Sequence, residues 1–420
     1  MSNPEPVGPA DPNAPDQSLR ESLPLLVAGF IVLFFVIGGG IDSVSVFLHA
    51  LAEAEGWPLQ TLSSGIAAGA VCAALSTPLV GAGVDRWGVR VPMTIGCALL
   101  AGGFVVLGLM NQPWHFVAAN LLLGPGFAAC ALLPITIAVT IMVPGRTALA
   151  LGIVGAGASA GAMVIAPAAQ LMVEAFGWRV AYITMGAAVV LAPIPCLLFA
   201  MPRGRLTTPA RESAEESPQD PQVAPPSLKQ ELRRPGVLLL LGALALPGLA
   251  SFGLQVHMVP LLVDLGHSDR FGAVALGATL AVAGVGKVGG GLIGDRLGPL
   301  TTLRLALGLD AVAFALLLLG SSVSIAGLFV VLHGLAVGTQ VAVLPVIALS
   351  ILGGERFGTL WGILQLGSML AIGLAPVVPG SIYDATGSYL AAIVFWIGAV
   401  LVGLIMAMLM RVQRDDPIER

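Results

Sequence analysis

One lysine, Lys287, stands inside the apolar run GAVALGATLAVAGVGKVGGGLIG, and the chain has only one other. An ammonium at bilayer depth costs roughly 3 kcal/mol on insertion scales, so it persists only where protein, water or an anion faces it. Its setting therefore points to capture of a negatively charged group. At i±3 and i±4 spacing its helical face holds Ala283, Gly284, Gly290 and Gly291, with Gly294 one turn on, while Val282, Val285, Val288 and Leu292 gather on the far side. Small residues mark helix contacts or cavity walls, and bulky aliphatic ones suit lipid. Two plainer roles compete: an ion pair within the protein, or an amine that snorkels to the surface from roughly 10 Å of helix depth.

Other polar residues punctuate the apolar segments. Asp42 shares a face with Gly38, Gly39, Ser45 and His49, and Asp310 lies midway along a later segment. An intramembrane carboxylate can carry a coupling proton. Asp42 can equally cap a helix near one surface, and Asp310 can serve a structural pairing. Gln340 and Gln365 can orient a ligand or hydrogen-bond between helices, and His257 can face a ligand or simply pack.

The elements that must position these groups follow from composition. Of 420 residues 57% are hydrophobic and only 10% charged, with mean hydropathy +0.95. Soluble domains carry about 25% charge, so this is a polytopic membrane protein and a nucleic-acid binder is excluded. Cys72, Cys97, Cys130 and Cys196 all lie in apolar runs without C-x-x-C spacing, which indicates packing rather than a metal site or disulfides. No P-loop, H-E-x-x-H or G-x-S-x-G occurs, so no cofactor, metal or catalytic residue is expected, and the energy for any work must come from an ion gradient.

Segments long enough to cross about 30 Å as helices are drawn at 24–48, 59–82, 91–110, 114–142, 147–173 and 179–200, then at 236–264, 271–294, 300–320, 323–350, 357–382 and 388–411, numbered here as spans 1 to 12. The expected organisation is a disordered N-terminus (1–22, without signal-peptide features), a first six-helix bundle (23–200), a polar linker (201–235), a second bundle (236–411) and a short tail (412–420). Of the 19 Lys and Arg residues, only Arg179 and Arg270 fall on the side opposite the linker, and Lys287 stays in the membrane. Positive loops remain cytoplasmic, so both termini and the linker are placed inside.

The halves also repeat. Gly81-x-x-x-Asp85-Arg86-x-Gly88 after span 2 recurs as Gly291-x-x-x-Asp295-Arg296-x-Gly298 after span 8, and the same offset relates Gly177 to Gly387. Parallel repeats around a midplane site are a transporter architecture. Gly81 lets a neighbouring helix approach, and the Asp85 carboxylate suits the positive N-terminus of another helix.

GAGVDRWGVR, ending at Arg90, resembles the G-x-x-x-D-R-x-G-x-R loop signature of the major facilitator superfamily, and the second copy matches all but the last basic position. Within that superfamily EGWPLQTLSSG, GWRVAY, VHMVPLLVDLG, GKVGGGLIGDRLG and PGSIYDATGSY resemble the bacterial branch of the monocarboxylate transporters and their oxalate:formate relatives. The resemblance implies an all-α fold of two six-helix bundles, bracing of one access state by the loop signature, and a basic residue in span 8 that pairs with a substrate carboxylate. Lys287, after Gly286, occupies that place, and His257 in V-H-x-V-P matches a histidine near the substrate. The animal-type D-G-G-W-G-W is absent, and Lys replaces the usual Arg; a lysine is a point charge without the bidentate fork.

The resulting expectation is a monomeric, proton-coupled secondary transporter of a small organic anion, a monocarboxylate, in a bacterial cytoplasmic membrane. Lys287, His257, Gln340 and Gln365 would hold the substrate, and Asp42 or Asp310 the proton. The rivals are an exporter of amphipathic compounds, an anion exchanger and a non-transporting membrane sensor.

Overall fold

The computed structural model describes residues 21–41, 47, 51, 54–57, 59–143, 145–204, 228–319, 322–353, 357–375 and 377–410; Asp42, Ser45, His49 and most of the linker lie outside them. Among the described residues there are helices and no strands. Nine helices among the described residues are long and apolar enough to cross a membrane. One of these, Thr147–Ala200, holds two passes because it turns at Gly177 (φ 81°, ψ 160°), and the shorter Leu23–Gly39 and Phe357–Ala371 supply spans 1 and 11. Twelve passes result, in two six-helix bundles. Large apolar side chains such as Phe199, Leu191 and Leu79 point outward, as lipid contact requires.

Local chemistry sets the ends of the helices. Spans 4, 7 and 9 open with Pro113, Pro235 and Pro299, where the missing N–H costs nothing. The Ser268 and Ser322 hydroxyls accept from the amides of Phe271 and Ile325 and so cap spans 8 and 10. Gly88, Gly298, Gly177 and Gly387 all take positive φ at turns, two pairs at the repeat offset. Arg304 caps the last turn of span 12 by donating to the carbonyls of Ala407, Met408 and Met410.

Several expected helices are not continuous. Span 1 passes from Leu23–Leu33 into a π-helical stretch, Phe34–Gly39. Span 4 is Pro113–Cys130 and Leu132–Met142, broken where Ala131 adopts an extended conformation. Span 11 is Phe357–Gly373 and Val377–Thr386. Hydropathy cannot register such breaks, because neighbouring helices satisfy the freed backbone groups without changing composition. Beside the break in span 4, the free thiols of Cys97 and Cys130 are fully buried with sulfurs 3.5 Å apart.

The bundles meet at the end from which the linker leaves. Asp85 of span 2 accepts from the amides of Gly358 (3.1 Å) and Thr359 (2.9 Å) at the start of span 11, and from the Thr359 hydroxyl (2.8 Å). Asp295 of span 8 accepts from the amides of Ala148 and Leu149, both at 2.9 Å, at the start of span 5. The two clasps are repeat images, each carboxylate giving one oxygen to each of two successive N–H groups. These orphan donors at a helix N-terminus favour negative charge. Glycine makes the approach possible: a Cβ on Gly81 would collide with the Gly358 carbonyl, and one on Gly291 with that of Ala148. Arg86 lies over the Trp87 ring at 5.5 Å, and Arg90 opens span 3.

Replacing both Asp85 and Asp295 by Ala should leave a folded protein whose linker-side end opens, at about 1–2 kcal/mol per clasp. Spin labels on the linker-side ends of spans 2 and 11 should show a longer mean separation in the double variant.

Candidate functional site

Span 8 runs Asp269–Leu297, so Lys287 sits ten residues, roughly 15 Å, from its linker-side end, near the middle of a 30 Å core. Its ammonium donates to the Gly155 carbonyl (3.1 Å) and the Ser159 hydroxyl (2.9 Å) of span 5. The amine is thus turned across the seam between bundles, at a depth unsuited to snorkelling. Both of these acceptors are neutral.

The small residues around Lys287 divide between two partners. A Cβ on Gly284 would meet Ser159 at 3.1 Å, and Gly291 abuts Ala148, both on span 5. Gly286 and Gly290 abut Leu335 and Thr339 of span 10, and the Thr339 hydroxyl donates to the Gly286 carbonyl at 3.3 Å. In return, a Cβ on Gly152 would strike the Lys287 carbonyl, and one on Gly338 would lie 2.7 Å from the Lys287 amide nitrogen. Val285 and Val288 face outward.

The repeat supplies an internal control. The offset that carries Asp85 to Asp295 carries Thr77 to Lys287 and Gly152 to Gly362. Gly362 packs on the Thr77 carbonyl as Gly152 packs on that of Lys287. The Thr77 hydroxyl merely bonds back to the Ala73 carbonyl at 3.0 Å. The seam therefore closes in the first half without a charge, and packing alone does not call for one in the second.

The remaining polar residues separate. Asp310 is fully buried in span 9, with one oxygen 2.6 Å from His333 Nδ1 and the other accepting from the Gln340 amide at 3.2 Å, both partners on span 10. Gln340 is thus engaged by Asp310. The His333 ring is stacked on Phe329 and edge-on to Phe314. His257 lies near the other end of span 7, bonded through Nδ1 to the Tyr389 hydroxyl at 2.9 Å, while the Tyr389 amide donates to Asp264 at 3.0 Å. By helical rise, His257 stands roughly 10 Å from that end and Lys287 roughly 27 Å. Gln365 is half-buried in span 11 and makes no side-chain hydrogen bond among the described residues.

Sequence reasoning passed over Ser159 and His333. Ser159 lies in a Gly- and Ala-rich helix where a lone hydroxyl carries no signal. His333 follows Asp310 by a full helical hairpin, and only the packing of span 9 on span 10 joins them.

A profile of the Major Facilitator Superfamily matches residues 30–332. The chain is 27% identical over 404 residues to a gentisate transporter of Corynebacterium glutamicum, covering 93% of this chain and 88% of that one. It is 26% identical over 353 residues to monocarboxylate transporter 12-B of Danio rerio, covering 76% and 72%. With human monocarboxylate transporter 11 it shares 31% identity over 219 residues, 52% of this chain, and spans less than half (44%) of that relative's length. Its fold is similar to the E. coli fucose:proton symporter FucP, with TM-score 0.70, 16% identity and coverage of 93% and 98%. The human organic anion transporter MFSD10 gives TM-score 0.64 at 19% identity, with coverage of 94% and 99%.

Gly338→Ala should lower the thermal midpoint, since overfilling this contact beside Lys287 costs about 1–3 kcal/mol. Gly308→Ala, where a Cβ meets nothing within 4 Å, should be neutral or stabilising by up to about 1 kcal/mol. Paired melts of the two purified variants check this.

Proposed function

The chain belongs to the Major Facilitator Superfamily, and on that premise we propose that it is a secondary transporter moving a small organic anion, a carboxylate, together with protons by rocking of the two bundles. The observation that carries this reading is Lys287: a cation held at mid-depth on the seam between bundles, where the repeat-related position is filled by Thr77. An anion entering between the bundles would gain a charge-assisted bond to the ammonium. The similarity to a gentisate transporter and to monocarboxylate transporters favours a carboxylate cargo.

In this reading Lys287 binds the carboxylate. Gln365 offers an amide from span 11, and His257, with Tyr389 beside it, stands on the approach from the far end. Gln340 acts through Asp310 rather than on the substrate in the conformation described. Asp42, outside the described residues, and Asp310 are the carboxylates available for the proton. The linker side is the cytoplasmic one, supported by the positions of Arg86, Arg90, Arg146, Arg296 and Arg304. The Asp85 and Asp295 clasps then hold the protein closed toward the cytoplasm of a bacterial cell and ready to load from outside.

The test is uptake of labelled gentisate and of labelled lactate by proteoliposomes. Lys287→Ala should reduce saturable uptake by about 100-fold or more, the scale of losing one partner of a desolvated charge pair. Lys287→Arg should retain part of it, because the charge remains while the geometry changes. Undiminished uptake by a folded Lys287→Ala protein would remove the anion site.

A further inference from the structure

The buried trio of Asp310, His333 and Gln340 has no counterpart in the first half. At the repeat offset stand Leu100, Leu123 and Cys130. These too are buried in the contact of span 3 with span 4, where a Cβ on Gly126 would meet Leu100 at 2.8 Å and one on Gly103 would meet Leu123 at 2.6 Å. The same helix pair is thus packed with apolar side chains in one bundle and with a carboxylate, an imidazole and an amide in the other. Burying a carboxylate where leucine suffices is costly at bilayer depth, and such residues are retained for ion and proton handling.

Charge balance gives the trio its chemistry. Asp310 is fully buried, and its bonds come from His333 and Gln340. With one proton held between carboxyl and imidazole the pair is neutral overall, whether written as an ion pair or as acid and neutral ring. Without that proton it carries one negative charge. Of the helices packed against it, span 12 contributes Trp396 and no ionisable group between Leu390 and Leu409, and spans 5 and 11 bring none to this depth. On its own helix Arg304 is committed to the end of span 12. His257 and Asp264 of span 7 lie near the far end, and Asp295 and Arg296 lie at the linker-side end of span 8. Among the described residues the charged group at its own level is Lys287, because Asp310 stands eleven residues, roughly 16 Å, from the linker-side end of span 9 and Lys287 roughly 15 Å from that of span 8.

Span 10 lies between them. One of its faces holds Asp310 through His333 and Gln340, and another, through Gly334, Leu335, Gly338 and Thr339, holds the backbone of span 8 from Thr279 to Gly290. We propose that Asp310 and His333 form one proton-binding site, sharing a single proton between spans 9 and 10, and that its charge sets the anion affinity of Lys287 across span 10. This deepens the transport reading above and rests on it. The sign follows from electrostatics: a neutral pair leaves the field of Lys287 to the anion, whereas proton loss adds a competing negative charge about one helix diameter away, an effect on the order of tenfold in affinity. Linkage makes the coupling reciprocal, so a bound anion favours the proton, as symport requires.

Two measurements test this. Gentisate binding to the purified protein should weaken by about tenfold as pH rises through the titration of the pair. The dependence should vanish in Asp310→Asn and in His333→Gln, which also lose most pH-gradient-driven accumulation in proteoliposomes. Persistence of the wild-type pH dependence in either folded variant would overturn the proposal. Independently of any cargo, the [15N]histidine resonance lost in His333→Gln should respond to pH in the full-length protein. A His333 signal that does not respond to pH overturns the proton site even if gentisate is bound. A titrating His333 with no carboxylate bound at all keeps the proton site and overturns the anion reading together with the coupling to it.

Discussion

Two helices from different bundles can touch backbone to backbone only where one of them lacks a side chain, and the rest of this architecture follows from that approach. Gly291 against Ala148 and Gly152 against Lys287 bring span 8 onto span 5 closely enough for the Lys287 amine to reach Gly155 and Ser159. The same closeness sets the Asp295 carboxylate on the first amides of span 5. In a bilayer no hydrophobic force drives helices together, so close packing and hydrogen bonds must do it. Wider spacing would cost both the clasp and the cation's acceptors.

Much of this was readable from residue types, and the limit is instructive. Twelve passes follow from hydropathy, and the repeat from the two Asp-Arg-x-Gly loops. That Asp85 should seek a helix N-terminus follows from its charge; that the N-terminus belongs to span 11 depends on how the bundles dock. The wheel of span 8 told small from bulky faces, yet not that one side of the small face serves span 5 and the other span 10. Gln340 was legible as an amide within a helix, whereas its partner depended on the register of span 9 against span 10. The breaks at Ala131 and before Val377 stand beside Pro134 and Pro376, yet Pro247, Pro260 and Pro345 sit inside continuous helices, so proline alone did not mark where a span would break.

The two bundles solve one packing problem with different chemistry. Leu100, Leu123 and Cys130 fill in one the place that Asp310, His333 and Gln340 fill in the other, and Thr77 stands where Lys287 does. Where a fold can be completed with apolar or neutral side chains, a charge at the related position is a cost that packing does not explain. This comparison within one chain separates what packing requires from what it does not.

One consequence concerns how such a chain could be re-engineered. Because the clasps and glycine seams are shared by both halves while Lys287, Asp310 and His333 belong to the second, a tandem duplicate of the first half would keep the frame and lose those three groups. Swapping spans 8 to 10 into that frame would bring them back as one graft.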